Sequence, residues 1–434
     1  MLPESVLNSL DVFGLCFTQP SFQRFVVLVT GWTLCISKHT VTGVLRAAGV
    51  VGREHHSGYH RFFAEAPWSP DEVGLTLLGM LLAVVPADVV VELIVDDTLA
   101  RHTGKHIAAG CMHRDPLLST GKIPFFHFGH CWVVLAVAAT FRGKTFALPV
   151  LVRLYRSEKL NKHLGRPHRK KTQLAGELIQ LVSAAFLERS FRLIGDNAWA
   201  NRSIVRPLPE NFHFIGRARM DAALNARASK RRGRGRPRVR GRKLASPEKR
   251  TNKKWKRLRL EISDRPATVQ VQVFDALWYK VGRGRLLRFV LIRGWPGHKK
   301  DDVLVTTDLT LSAKEIIERY CTRWSIEETF GWVKSRLGFE DPQNRTELAA
   351  ERTAPMALWT YSLVIHWYRV WSRRRKHLPF REAPWYTTKT LPSFADMLAT
   401  LRRESWTLWI SDQAANDHLD QKHLAPMLDA VGYG

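Results

Sequence analysis

VVELIVDDT, residues 90–98, is the stretch that decides the fold class. Its first six residues form a near-continuous apolar, β-branched run, the mark of a strand buried on both faces. Two acids, Asp96 and Asp97, close it. FRLIGDNAW (191–199) repeats the design, a short buried strand ending in Asp196. Between the two, HCWVVLAVAATF (130–141) and KTFALPVLVRLYR (144–156) meet at an Arg-Gly turn and read as a hairpin. TQLAGELIQLVSAAFLER (172–189) reads as an amphipathic helix, and FHFIGRAR (212–219) as one more strand. Three strands, a helix and further strands make a mixed α/β core. An acid placed directly after a buried run sits at the carboxyl edge of the sheet, where open α/β folds build their sites. Asp196 taken alone also reads as the N-cap of a helix beginning near Ala198.

Upstream, residues 1–82 read as helical, with segments around 21–36, 40–48 and 70–83. KHTVTGVLRAAGVVGREHHSGYHRFFAE (38–65) suits a helix-turn-helix about Gly49 or Gly52, and equally a plain packing domain. The longest apolar run, 73–95, is broken by Pro86, Asp88 and Glu92, so it reads as a buried helix followed by a strand, not a membrane span. The N-terminus, MLPESVLNSLDVF, lacks the layout of a signal peptide. Five scattered cysteines, Cys16, Cys35, Cys111, Cys131 and Cys321, fit a reducing compartment. A soluble, cytoplasmic chain is expected.

Downstream, RASKRRGRGRPRVRGRKLASPEKRTNKKWKRLR (227–259) holds seventeen Lys/Arg and one Glu, and reads as a disordered arm or long loop. TVQVQVFDALWYKV (268–281), LLRFVLIRG (286–294) and DVLVTTD (302–308) read as strands. Helices are expected over about 312–337, 347–375 and 393–410. The chain carries 67 Lys+Arg against 39 Asp+Glu, a net charge of +28, which points to a polyanion as partner. Acidic membranes are the rival partner, but no basic helix presents a clean apolar face.

On a helix, YCTRWSIEETFGWVK (320–334) places Tyr320, Arg323, Glu327 and Lys334 on one narrow stripe, beside an apolar face of Ile326, Phe330, Val333 and Leu337. The bland explanation is an i,i+4 Arg323–Glu327 pair on a solvated face. Joined to the strand-end acids, Glu327 instead completes an oxygen-rich set suited to Mg²⁺ or Mn²⁺. Two such ions some 4 Å apart serve an in-line phosphodiester displacement. Arg323 and Lys334 would then grip the flanking phosphates, with Tyr320 donating to one.

Tyr320-x2-Arg323-x3-Glu327-x6-Lys334 resembles the YREK signature of IS4-type bacterial DDE transposases. Asp96-Asp97-Thr98 looks like their DDT segment, and Asp196-Asn197-Ala198-Trp199 like the segment around their second acid. DVFGLCFTQPSFQRFVVLVTGWTL (11–34) is similar to the N-terminal region of the IS701-like branch. The resemblance implies an α/β, RNase H-like mixed-sheet catalytic core with a β-rich insertion, plus an N-terminal helical domain. The expected division is 1–85 helical and DNA-binding, 86–218 first core part, 219–310 insertion, 311–375 helical core part with the signature, and 376–434 C-terminal region.

It also implies a transposase that binds the inverted-repeat ends of an insertion sequence, cleaves them with Mg²⁺ (Mn²⁺ substituting) and joins them to target DNA as a homodimer. Asp96, Asp196 and Glu327 are the expected metal ligands, with Asp97 as the alternative to Asp96. Tyr320, Arg323, Trp324 and Lys334 are the expected DNA contacts. Trp278 and Trp295 are candidates for holding a flipped base. RGRGRPR (232–238) resembles an AT-hook, in which Arg234 and Arg236 enter a narrow minor groove; nonspecific phosphate binding explains the same residues. The histidines and cysteines at 102, 106, 111, 113, 127, 130 and 131 lack the paired C-x2-C spacing of structural zinc, and His106 is read as a DNA contact. Two alternatives stand beside the transposase: a catalytically silent DNA-binding protein on the same scaffold, and a metal-dependent nuclease without strand joining.

Overall fold

The computed structural model describes residues 2–52, 54–104, 106–115, 118–120, 122–228, 238–250, 254–262, 265–298, 300–382, 384–385 and 387–414. Five helices precede the first strand: α1 (Glu4–Leu10), α2 (Gln19–Leu34), α3 (Val41–Ala47), α4 (Ser57–Ala64) and α5 (Pro70–Leu82). Ser69 caps α5 and Pro70 opens it, a pairing that starts helices because the missing proline N–H is one the first turn leaves unbonded. The apolar run 73–95 accordingly divides into a helix and a strand, and no described helix is long and apolar enough to cross a membrane.

The core follows as β1 (Val91–Arg101), β2 (Cys111–Arg114), β3 (Phe126–Phe141) and β4 (Lys144–Tyr155). After these come α6 (Glu158–His163), α7 (Lys171–Ala185), β5 (Phe191–Gly195), α8 (Arg202–Val205) and β6 (Phe212–Arg217). The β3–β4 hairpin turns where Arg142 and Gly143 both hold positive φ, the conformation that matches the twist of a two-residue loop. In space the strands run β4-β3-β1-β5-β6. β4, β3 and β1 are antiparallel, whereas β1, β5 and β6 are parallel. This is the RNase H-like mixed sheet expected from the sequence.

The sheet continues past β6 through β12 (Asp302–Thr306) and β11 (Leu286–Arg293) to β10 (Arg265–Leu277), with β7 (Leu224–Asn225), β8 (Lys243–Leu244) and β9 (Lys256–Ile262) beyond. The short α9 (Tyr279–Gly282) links β10 to β11. Within the basic segment 227–259, expected to be unstructured, Lys243 and Leu244 pair with β7, and β9 pairs along β10 from Lys256. Alternate residues of β9 supply Leu258 and Leu260 to the β10 side, enough apolar surface for an edge strand despite the charge.

α10 (Ala313–Cys321), α11 (Ser325–Arg336), α12 (Glu347–Trp371) and α13 (Phe394–Ala414) follow among the described residues. One helix was expected over 312–337; a 3₁₀ turn at Thr322–Trp324 divides it. α12 is buried along most of its length, and Trp359 and Ser362 donate to the β4 carbonyls of Val150 and Pro149. α11 docks beside it through Thr329, whose Oγ1 donates to Ala147 O at 2.9 Å and lies 3.2 Å from the Tyr361 hydroxyl.

Candidate active site

β1 and β5 pair in parallel with Ile94 opposite Ile194. Two residues further along each chain stand Asp96 and Asp196; Asp196 follows the end of β5, whereas β1 runs on along β3 to Arg101, so Asp96 and Asp97 lie within β1 and do not close it as expected. The third acid arrives from outside the sheet, in the first turn of α11. Arg323, in the 3₁₀ turn before that helix, spans the gap. Its Nη1 donates to Asp96 Oδ2 at 3.1 Å and its Nη2 to Glu327 Oε1 at 3.0 Å. Those two carboxylate oxygens are therefore separated by no more than one guanidinium and two hydrogen bonds, under about 9 Å.

Asp96 is largely enclosed, with 17% of its side chain exposed, whereas Glu327 keeps 47%. Burial pushes the Asp96 carboxyl up to about 7. Arg323 and the Asp97 N–H oppose that rise, and the charges of Asp97 and Asp196 add to it. The i,i+4 Arg323–Glu327 pair exists as expected, yet Arg323 is only 9% exposed and holds a second carboxylate, so it is not a solvated surface pair. Asp97 points to the other face of β1, as strand alternation requires. There it accepts from Lys171 Nζ at 2.6 Å and from Cys131 Sγ at 3.4 Å. Asp96, and not Asp97, is the residue tied to Glu327. Asp196 Oδ1 accepts from Ala198 N–H at 2.8 Å within a local turn, but it caps no helix: the expected helix near Ala198 is absent, and the next one starts at Arg202 with Asn201 as its cap. A carboxylate has two oxygens, and a local turn does not disqualify it as a ligand.

The sequence profile described as DDE superfamily endonuclease matches residues 12–281. The chain belongs to this family. The match spans more than half of the sequence and includes Asp96 and Asp196, while Glu327 lies beyond it. No curated protein matches the chain. Membership gives this DDE endonuclease a nuclease- or transposase-type function, and DDE superfamily nucleases use divalent metals.

Three carboxylates are the right donor chemistry for a hard divalent ion. Among the described residues, however, no three His, Cys, Asp or Glu side chains converge on one point. The geometry shows what separates them: the Arg323 guanidinium lies between Asp96 and Glu327.

The remaining signature residues are differently placed. Lys334 Nζ donates to Leu99 O of β1 at 2.7 Å and lies 3.8 Å from Glu340, so it braces the outer end of the strand. Tyr320, expected to donate to a phosphate, is 6% exposed and packs against Trp295 with ring centroids 5.8 Å apart. Its burial raises the phenol to about 12. Trp324 is 52% exposed, 5.0 Å from the Arg323 guanidinium. Trp278 and Trp295, the candidates for holding a flipped base, are both buried. His106 is exposed in the β1–β2 connection, while Arg234 and Arg236 lie outside the described residues.

Most of the neighbouring histidines and cysteines meet polar partners. His130 Nε2 donates to Ala108 O at 2.7 Å, which leaves its Nδ1 to accept from His102 Nε2 at 3.1 Å. Cys111 meets His113, and His127 meets Asp115. Sequence reasoning passed over Lys171, the partner of Asp97, and the Glu92, Arg192, Arg319 and Asp308 network behind the site. Three Arg/Lys in a row, 169–171, obscure Lys171; nothing in the sequence says that Arg192, inside an apolar strand, will be 4% exposed and paired to Asp308 at 3.0 Å.

Proposed function

We propose that this DDE endonuclease is a DNA transposase of the IS4 type, within its IS701-like branch. It binds the inverted-repeat ends of an insertion sequence, cuts them by metal-assisted hydrolysis and joins them to target DNA, two copies of the chain bridging two ends. The observation that carries the reading is the tie from Asp96 on β1 through Arg323 to Glu327 on α11, with Asp196 at the matching position on the neighbouring parallel strand.

Asp96, Asp196 and Glu327 would hold Mg²⁺ or Mn²⁺. The chemistry supplied by the bound ions is ionisation of a water and stabilisation of the oxygens that enter and leave the phosphorus. The chain's own residues do the rest. Arg323 and the exposed Trp324 flank the acids and offer a phosphate contact and a stacking surface. Net charge of +28 gives the long-range attraction for the polyanion.

The experiment incubates the purified chain with a duplex carrying the element's end, or an unrelated duplex, in Mg²⁺ or EDTA. Metal-dependent cutting at the end followed by joining supports the transposase. Glu327→Gln is expected to bind end DNA as the parent does and to lose cleavage by at least a factor of about 10². Cutting without joining would replace the reading with a nuclease, and binding without cutting by the parent would replace it with a DNA-binding scaffold.

A further inference from the structure

Arg323 occupies an unusual position for a side chain that is to meet DNA. One guanidinium nitrogen serves Asp96 at 3.1 Å and another serves Glu327 at 3.0 Å, two acids brought from β1 and α11. A divalent ion held by those acids would need the same carboxylate oxygens. Guanidinium and ion cannot both fill that gap, since each neutralises the same charges from the same direction. The present arrangement also leaves Arg323 imperfectly satisfied: its Nε is buried and has no hydrogen-bond partner. A buried unpaired N–H is costly, so the inward rotamer is held chiefly by its two carboxylates.

Arg323 sits in the 3₁₀ turn that separates α10 from α11. Beside it Trp324 is half-exposed, and its ring, 5.0 Å from the guanidinium, offers a path outward. The Tyr320 ring, 6.0 Å from the guanidinium, is buried.

We infer that Arg323 is a placeholder cation: it holds Asp96 and Glu327 together before the metal arrives, and the metal displaces it toward the DNA phosphates. The inference rests on the metal-site reading given above and adds an order of events to it. One side chain thereby links loading of the site to its grip on DNA.

The test measures Mn²⁺ binding to the full-length chain without DNA, by calorimetry or by the loss of the free-ion electron paramagnetic resonance signal. Arg323→Ala and Arg323→Met remove the competitor; Asp96→Asn and Glu327→Gln remove the ligands. The placeholder predicts that both arginine variants bind Mn²⁺ at least about tenfold more tightly than the parent. It also predicts that their melting temperatures fall in EDTA and recover further on adding Mn²⁺ than the parent's rises. Unchanged or weaker Mn²⁺ binding in the arginine variants, with binding lost in Asp96→Asn, would overturn the placeholder and leave the metal site standing. Mn²⁺ binding indifferent to Asp96→Asn and Glu327→Gln would overturn both. If one arginine variant does not fold, the other gives the same comparison.

Discussion

At the scale of single residues, the molecule separates groups that the sequence leaves side by side. Asp96 and Asp97 are consecutive acids, and no spacing rule chooses between them; the pleat of β1 does, sending one to Arg323 and the other to Lys171. Tyr320 and Lys334 lie on the same helical stripe as Glu327 in the sequence, yet one is sealed under Trp295 and the other is bound to the backbone of β1. A stripe shows which side chains share a face, and it is silent on what the rest of the chain lays over that face.

His130 carries a prediction of its own. It is 4% exposed, and burial pulls its imidazolium down to about 4, with its bond to Ala108 opposing and His102 adding to the fall. A histidine whose folded value is depressed stabilises the fold above its unfolded value of about 6.5, and that contribution is lost as pH falls toward 4. At about 1.4 kcal/mol for each unit, the loss is on the order of 3 kcal/mol. Denaturant melts of His130→Gln are expected to show a distinctly shallower decline between pH 6.5 and 4 than the parent, and parallel curves would count against a neutral buried His130.

At the scale of elements, much was legible. Each run of β-branched and apolar residues, 90–97, 191–196, 212–219, 286–294 and 302–308, is a strand, because continuous apolar sequence fits a strand covered on both faces. The Arg-Gly turn gave the β3–β4 hairpin for a local reason, positive φ at both positions. The 3₁₀ break at 322–324 was not legible, since the apolar periodicity runs through it unbroken. Nor was β9, whose charges mask an alternation completed by its partner β10.

What fixes Glu327 is the docking of α11. Thr329 is fully buried, donating to Ala147 on β4 and touching the Tyr361 hydroxyl on α12. Thr329→Val keeps the shape and leaves those oxygens without their partner, at a cost of about 1–3 kcal/mol. Thermal melts should register that loss. Cleavage is expected to fall while end-DNA binding holds; a stability loss with cleavage untouched would show that α11 does not set the geometry of Glu327.

At the scale of the whole molecule, one sheet runs from β2 to β8 and joins the RNase H-like core to the strands of the segment expected as an insertion. The order of strands in the sheet follows from pairings between residues far apart, such as β12 with β6, which no local pattern announces. Charge is the property that sequence does disclose at this scale. Residues 229–237 contain five of the cations, Lys230, Arg231, Arg232, Arg234 and Arg236. If all five meet phosphates, deleting 229–237 should lower the slope of log affinity against log salt by about 4. Binding titrations from low to moderate salt read this directly, and an unchanged slope would remove the segment from the DNA contact.

Side chains 96, 196 and 327 are proposed to share a divalent ion. Iron offers the most direct test: Fe²⁺ is loaded in place of Mg²⁺, ascorbate and peroxide generate hydroxyl radicals at the bound ion, and mass spectrometry locates the backbone cuts. Cuts grouped about 96, 196 and 327, suppressed by excess Mg²⁺ and lost in Asp96→Asn, are the predicted result. Cuts grouped elsewhere, or the same pattern in Asp96→Asn, would contradict it.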